Sequence, residues 1–153
     1  MTILSDLFSK RRRVTVDTNI IVAALIYGSA DCRNVLDTVK ECDELMMTNI
    51  ILFQCTRQSR KKHCPLDSEE IEKRVREMCP DVRYVEIIPL EQLKRRYYIR
   101  SDKDYETLYS ADVTDSEILL TSDNDFYDPE RPVKGIHAKI LRVNDYLVGR
   151  GRK

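Results

Sequence analysis

Arg12-Arg13-Val14-Thr15-Val16-Asp17-Thr18-Asn19, running straight into the apolar stretch Ile20 to Ile26, decides the fold class of this chain. Val14, Thr15 and Val16 are β-branched and suit a short buried strand, whereas the apolar run after Asp17 has the length and composition of a buried helix. A strand that ends in an acid and turns into a helix is therefore predicted. Gly28-Ser29 stops that helix, and Val35, Leu36 and Val39 recur at helical spacing within Asp31 to Lys40. Glu44 to Met47 reads as a second strand. Thr48 or Asn49 can cap the next helix, which runs through Ile51, Leu52 and Cys55 to near His63, with Pro65 closing it.

The same alternation continues to the C-terminus. Ser68-Glu69-Glu70-Ile71-Glu72 has the form of a capping box for a helix ending near Met78, before Pro80-Asp81. Val82 to Ile88 is expected as a strand and Leu90 to Ile99 as a short helix. Ser101-Asp102 caps a helix starting near Asp104, and Glu117-Ile118-Leu119-Leu120-Thr121 forms a strand delivered into Ser122-Asp123-Asn124-Asp125. Lys139 to Val143 supplies the last strand before a short helix. Strands alternating with helices predict an α/β fold, a three-layer α/β/α sandwich with a mostly parallel central sheet.

A length of 153 residues suits one domain, 1–153, with a short N-terminal arm over 1–12 and a basic tail over 149–153. Ile20 to Ile26 falls far short of the roughly 20 apolar residues that a bilayer requires, so no membrane span is expected. At the N-terminus (MTILSDLFSKRRR) the basic run follows the apolar residues, the reverse of a secretion signal. A cytoplasmic protein is the expectation. Five cysteines, an odd number without C-x-x-C, point to buried free thiols rather than a disulfide framework or zinc ribbon.

Charge is balanced overall at 26 basic and 26 acidic residues, but not along the chain. Between Asp102 and Asp128, nine acids face only Lys103, so the basic residues gather elsewhere, at Arg11 to Arg13, Arg57 to Lys62, Lys94 to Arg96 and Arg150 to Lys153. Acids able to hold a cation beside basic groups able to hold phosphates suit a metal-dependent enzyme acting on a polyanion.

Asp17 and Asp123 each follow an apolar strand, the end of a parallel sheet where ligands bind. Asp104 heads the helix leading into the Asp123 strand, and a crossover helix begins above the strands' C-terminal ends. Clustered carboxylates repel one another and are stable mainly around a cation; oxygen ligands favour Mg²⁺ or Mn²⁺. Each acid also has a plainer role: Asp17 and Asp104 as helix caps, Asp125 and Asp128 as turn residues. An EF-hand is excluded, because Asp128 stands where Gly is needed and Lys134 where Glu is.

Val16-Asp17-Thr18-Asn19-Ile20 and Leu119-Leu120-Thr121-Ser122-Asp123-Asn124-Asp125-Phe126 resemble the two ends of a PIN domain, and the pattern covers nearly the whole chain. The resemblance implies a metal-dependent ribonuclease, including the toxins of toxin-antitoxin pairs. By that resemblance Asp17, Asp104 and Asp123 are catalytic and bind Mg²⁺ or Mn²⁺ together with Asp125, with Asp102 a competitor of Asp104. Asn19 and Thr121 would orient the carboxylates, with Ser122 beside them. RNA, an antitoxin protein and a second copy of the chain are the implied partners, and Tyr97-Tyr98-Ile99 is one candidate dimer surface, though core packing explains those residues equally well.

The resemblance is incomplete at one position. Where the family usually carries Glu in the helix after the second strand, this chain has Gln54. An amide oxygen can ligate, but it brings no negative charge and cannot act as a general base. Two functions are thus expected in competition. One is hydrolysis of RNA phosphodiesters, with Arg57, Arg60, Lys61 and Lys62 on the third helix holding phosphates. The other is a catalytically impaired module that binds RNA or a protein partner.

Overall fold

The computed structural model describes residues 10–152. The order is β1 (Arg13–Val16), α1 (Thr18–Leu25), α2 (Ala30–Cys42), β2 (Glu44–Thr48), α3 (Asn49–Thr56), α4 (Ser68–Met78), β3 (Val82–Arg83), α5 (Leu90–Arg96), α6 (Tyr105–Val113), β4 (Ile118–Leu120), β5 (Lys139–Leu141) and α7 (Val143–Gly149). Short 3₁₀ turns cover Arg57–Arg60, Asp102–Asp104 and Asn124–Tyr127. The strands pair in the order β3-β2-β1-β4-β5, and every pairing is parallel.

Burial on both faces explains the short apolar strands, because alternate side chains of a strand point to opposite sides. In β4, Ile118 and Leu120 enter one core, with Val14, Val16, Ile21, Leu36, Met47, Ile71 and Tyr146. Leu119 enters the other, with Leu93, Ile99, Tyr105, Leu108 and Phe126. The result is the expected three-layer α/β/α sandwich. The chain leaves β1 for β2 on one side and returns to β4 on the other, so β1 and β4 flank a topological switch point, where the strand ends open a crevice.

Several element boundaries differ from the sequence reading. The helix expected to reach His63 ends at Thr56, whose hydroxyl donates to the Phe53 carbonyl at 2.8 Å, and the chain tightens into the 3₁₀ turn Arg57–Arg60. Arg57, Arg60, Lys61 and Lys62 therefore lie beyond the helix. Asp67, not Ser68, caps α4, accepting from the Glu70 amide at 2.8 Å. The strand expected over Val82 to Ile88 keeps only Val82–Arg83, after which the Asn49 side chain takes over, its amide oxygen accepting from the Val85 N–H at 2.8 Å. The helix expected to extend to Ile99 ends at Arg96, because Tyr97 is extended and Tyr98 pairs antiparallel with Lys134. Gly135 beside that bridge has φ +89°, and a Cβ there would meet the Arg96 carbonyl oxygen at 2.1 Å; only glycine fits.

Tyr97 and Ile99 are buried while Tyr98 is exposed, so core packing accounts for two of the three residues considered for a dimer surface. Of the five free cysteines, Cys55 and Cys79 are buried and Cys32, Cys42 and Cys64 are half-buried. The arm before residue 10 and Lys153 of the tail lie outside the described residues. Arg11 and Arg150 pack back onto the end of α2: Arg11 donates to the Lys40, Glu41 and Asp43 carbonyls, and Arg150 binds the Asp43 carboxylate. Among the described residues no helix is long and apolar enough to cross a membrane.

Candidate metal centre

Asp17 follows β1 directly and is 4% exposed. It takes the N-cap backbone position of α1 without a side-chain capping bond, and its Oδ2 instead accepts from the Thr121 hydroxyl at 2.8 Å. The same hydroxyl accepts from the Asp123 N–H at 3.1 Å. Thr121 thus ties together the two acids at the switch point. Its carbonyl is fixed in turn by the Tyr127 hydroxyl at 2.7 Å.

Asp104 closes the 3₁₀ turn before α6 and is 5% exposed. It also sits at an N-cap without capping, and among the described residues its buried Oδ2 has no hydrogen-bond partner. Burial and the facing charges of Asp123 and Asp17 push its carboxyl up to about 7. Asp17 is raised as well, chiefly by burial; the Thr121 bond opposes the rise and Asp123 adds to it. Leaving a buried carboxylate oxygen unpaired is costly, and the surrounding donor set is one a hard divalent cation fits. Ligand oxygens of Asp104, Asp123 and Asp125 lie within 4.8 Å of one another.

Asp102 is not part of this group: it points outward, 64% exposed, and pairs with Lys94 at 3.1 Å. Asp125 belongs to it but is shared, since Arg100 Nε donates to Asp125 at 2.8 Å and Arg100 Nη1 to Asp128 at 3.2 Å. Asn19 stands exposed at the rim of both neighbouring clefts; its backbone N–H favours the ionised Asp17 carboxyl, while among the described residues its side chain makes no hydrogen bond to the acids, because its place in the first turn of α1 turns it outward. Ser122 is likewise exposed, beside Asp123. Gln54 reaches the site from α3, its Oε1 accepting from the Thr18 hydroxyl at 2.6 Å. Below it, burial followed by the Asp17 charge pushes the Cys55 thiol up to about 12, so it stays protonated.

Two clefts meet at Asp17 and Asn19. One, of about 450 Å³, is lined by Gln54, Arg57, Arg60, Lys61, Lys103 and Asp104, among others. Lys62 is exposed on the adjacent turn and does not line it. The other, of about 670 Å³, runs past Ser122 and Asp123 to α2 and the start of α7. Sequence reasoning missed Thr18, Arg100 and Lys103. Arg100 acts 25 residues away from Asp125, a separation that carries no local pattern.

No family model matches the chain, and no curated protein does. Among solved structures it is similar to a chain of the crystal structure of VapBC2 from Rickettsia felis bound to a DNA fragment from their promoter. The TM-score is 0.56 at 14% sequence identity, covering 85% of this chain and 98% of that one. The fold is PIN-like. At that identity the likeness extends to the fold, while the acidic cluster is a property of this chain's own residues.

Proposed function

We propose that the chain is a metal-dependent endoribonuclease of the PIN type, in which Asp17, Asp104 and Asp123 hold Mg²⁺ or Mn²⁺ against an RNA phosphodiester. The observation that carries this reading is the partnerless Oδ2 of Asp104, buried among acids that raise its own affinity for protons. Such an arrangement costs the fold stability, and perturbed carboxyls in a cleft mark functional sites. When bound, the cation would activate a coordinated water and offset charge on the leaving oxygen. The chain's own groups position the reactants. Thr121 orients Asp17 and Asp123, the Gln54 amide oxygen is turned by Thr18, and Arg57, Arg60 and Lys61 in the cleft, with Lys62 beside it, hold phosphates with an affinity that weakens in salt. By likeness to the VapBC2 complex, a toxin role, an antitoxin partner, a homodimer and a cytoplasmic setting belong to the same proposal.

Cleavage of single-stranded RNA in Mn²⁺, lost in EDTA and in the Asp17→Asn, Asp123→Asn double variant, is the expected result. Equal activity in all three preparations would trace it to a contaminant and sink the proposal. Thr121→Val should lower Mn²⁺ affinity by about 10- to 100-fold, since the groups that orient ligands matter on that scale; calorimetry giving the wild-type affinity would remove Thr121 from the site.

The neutral amide of Gln54 favours a second reading, an RNA- or protein-binding module without catalysis. Gln54→Glu adds a charge at a position already aimed by Thr18, so stronger Mn²⁺ binding and faster cleavage are expected for the nuclease. RNA binding without any Mn²⁺ binding in either form would establish the module instead.

A further inference from the structure

The two clefts beside the acids differ in electrostatic character. The smaller carries Arg57, Arg60, Lys61 and Lys103 against Asp17, Asp104 and Glu106, a lining that attracts a phosphate backbone. Among the described residues the larger carries one cation, Arg142, against Asp17, Asp31, Asp123 and Asp145, with Ile20, Val35 and Val143 as its apolar wall. Such a cleft repels phosphate and accepts a neutral, flat, partly apolar group carrying hydrogen-bond donors.

Arg142 is held in place by two neighbours. Its guanidinium lies 3.8 Å from the centre of the Tyr127 ring, and its Nη2 faces Asn124 Oδ1 at 3.4 Å. The Tyr127 hydroxyl is bonded to the Thr121 carbonyl, so the stack is anchored on the strand end that carries the acids. One face of the guanidinium covers the ring, while Arg142 also lines the larger cleft. Arginine planes and aromatic rings are the platforms on which proteins stack unpaired bases.

We propose that the larger cleft is a nucleobase subsite, in which an unpaired base next to the phosphate at the acids stacks on Arg142. Resting on the reading of the site as one that acts on RNA, it adds a preference that the basic cleft does not supply. Asp31 and Asp145 line the cleft with groups that, when ionised, only accept, so a base with an exocyclic amine is favoured over uracil, whose O4 would face carboxylates.

The test is fluorescence anisotropy in EDTA with eight-nucleotide oligo(C) and oligo(U), which differ in the donor or acceptor at the pyrimidine 4-position and in the protonation of ring N3. Wild-type protein should bind oligo(C) more tightly. Arg142→Ala and Arg142→Lys should both weaken oligo(C) binding by about tenfold and level the difference, because lysine keeps the charge but not the plane. Lys61→Ala should weaken both oligomers equally and flatten the salt dependence. Arg142→Lys binding like wild type, or equal binding of the two oligomers by the wild type, would overturn the subsite while leaving RNA binding intact. Failure of the wild type to bind either oligomer would instead remove the RNA reading itself.

Discussion

Asp104→Asn should make the metal-free protein more stable at pH 8, by about 2 kcal/mol, while lowering metal-dependent cleavage by two orders of magnitude or more. The carboxyl of Asp104 is raised to about 7 in the folded chain, through burial and the charges of Asp123 and Asp17. A folded-state pKa above the unfolded one means that the native state binds the extra proton between those values. Stability from this group is therefore complete below about pH 4 and is lost as pH rises through 7. Each tenfold gain in proton affinity on folding corresponds to about 1.4 kcal/mol, and water entry and relaxation reduce the full difference to a few kcal/mol. Asp17, raised in the same direction, adds to the loss. An amide at position 104 keeps the shape and removes the charge, so the variant should match wild type near pH 4 and exceed it at pH 8 in urea melts with EDTA. Mn²⁺ should restore stability to the wild type at pH 8 and not to the variant. A variant less stable than wild type at pH 8 would mean that the Asp104 carboxylate has a partner in the fold, and the case for a cation there would go with it.

A loss of about 3–5 kcal/mol is expected for Asp43→Ala, the size seen when one member of a buried ionic network is removed. Asp43 is fully buried at the end of α2. Its carboxylate accepts from the Arg12 N–H at 2.9 Å, the Tyr146 hydroxyl at 2.6 Å and Arg150 Nε at 3.0 Å, with a second Arg150 nitrogen bonded as well. Alanine would leave the buried Tyr146 hydroxyl and the largely covered Arg150 without an acceptor. For a chain of this size the melting temperature should drop by on the order of 10 °C. The network joins the start of β1 to α7, and α7 carries Asn144 and Asp145 to the larger cleft, so α7 should protect its amides least in the variant. Hydrogen exchange that leaves α7 as protected as in wild type, with a melting point within about 2 °C of it, would show that the helix is held by its apolar face alone.

Local pattern made much of this molecule legible. The β-branched run before Asp17, the longer apolar run after it and the short apolar run before Asp123 are signals of composition and length, and they placed β1, α1 and β4 with an acid following each of the two strands. The boundaries that shifted did so through contacts no local pattern records: the Thr56 hydroxyl ending α3, Asp67 taking the cap from Ser68, and Asn49 occupying the backbone of the expected third strand. Among the site residues, the resemblance favours Asp104 in sequence, with Asp102 two residues earlier as its competitor. Tertiary packing turned Asp102 out to Lys94 and buried Asp104 against Asp123.

The sequence by itself determined the alternation of strands and helices, the burial of both sheet faces and the acids that follow β1 and β4, because propensity, periodicity and capping act over a few residues. Only the tertiary structure decided which acids meet, that Arg100 shares Asp125, that Thr18 aims Gln54 and that Arg142 lies on Tyr127. Those contacts depend on crossovers that bring distant segments to one edge of the sheet, and the energy that selects them comes from the packing of the whole core.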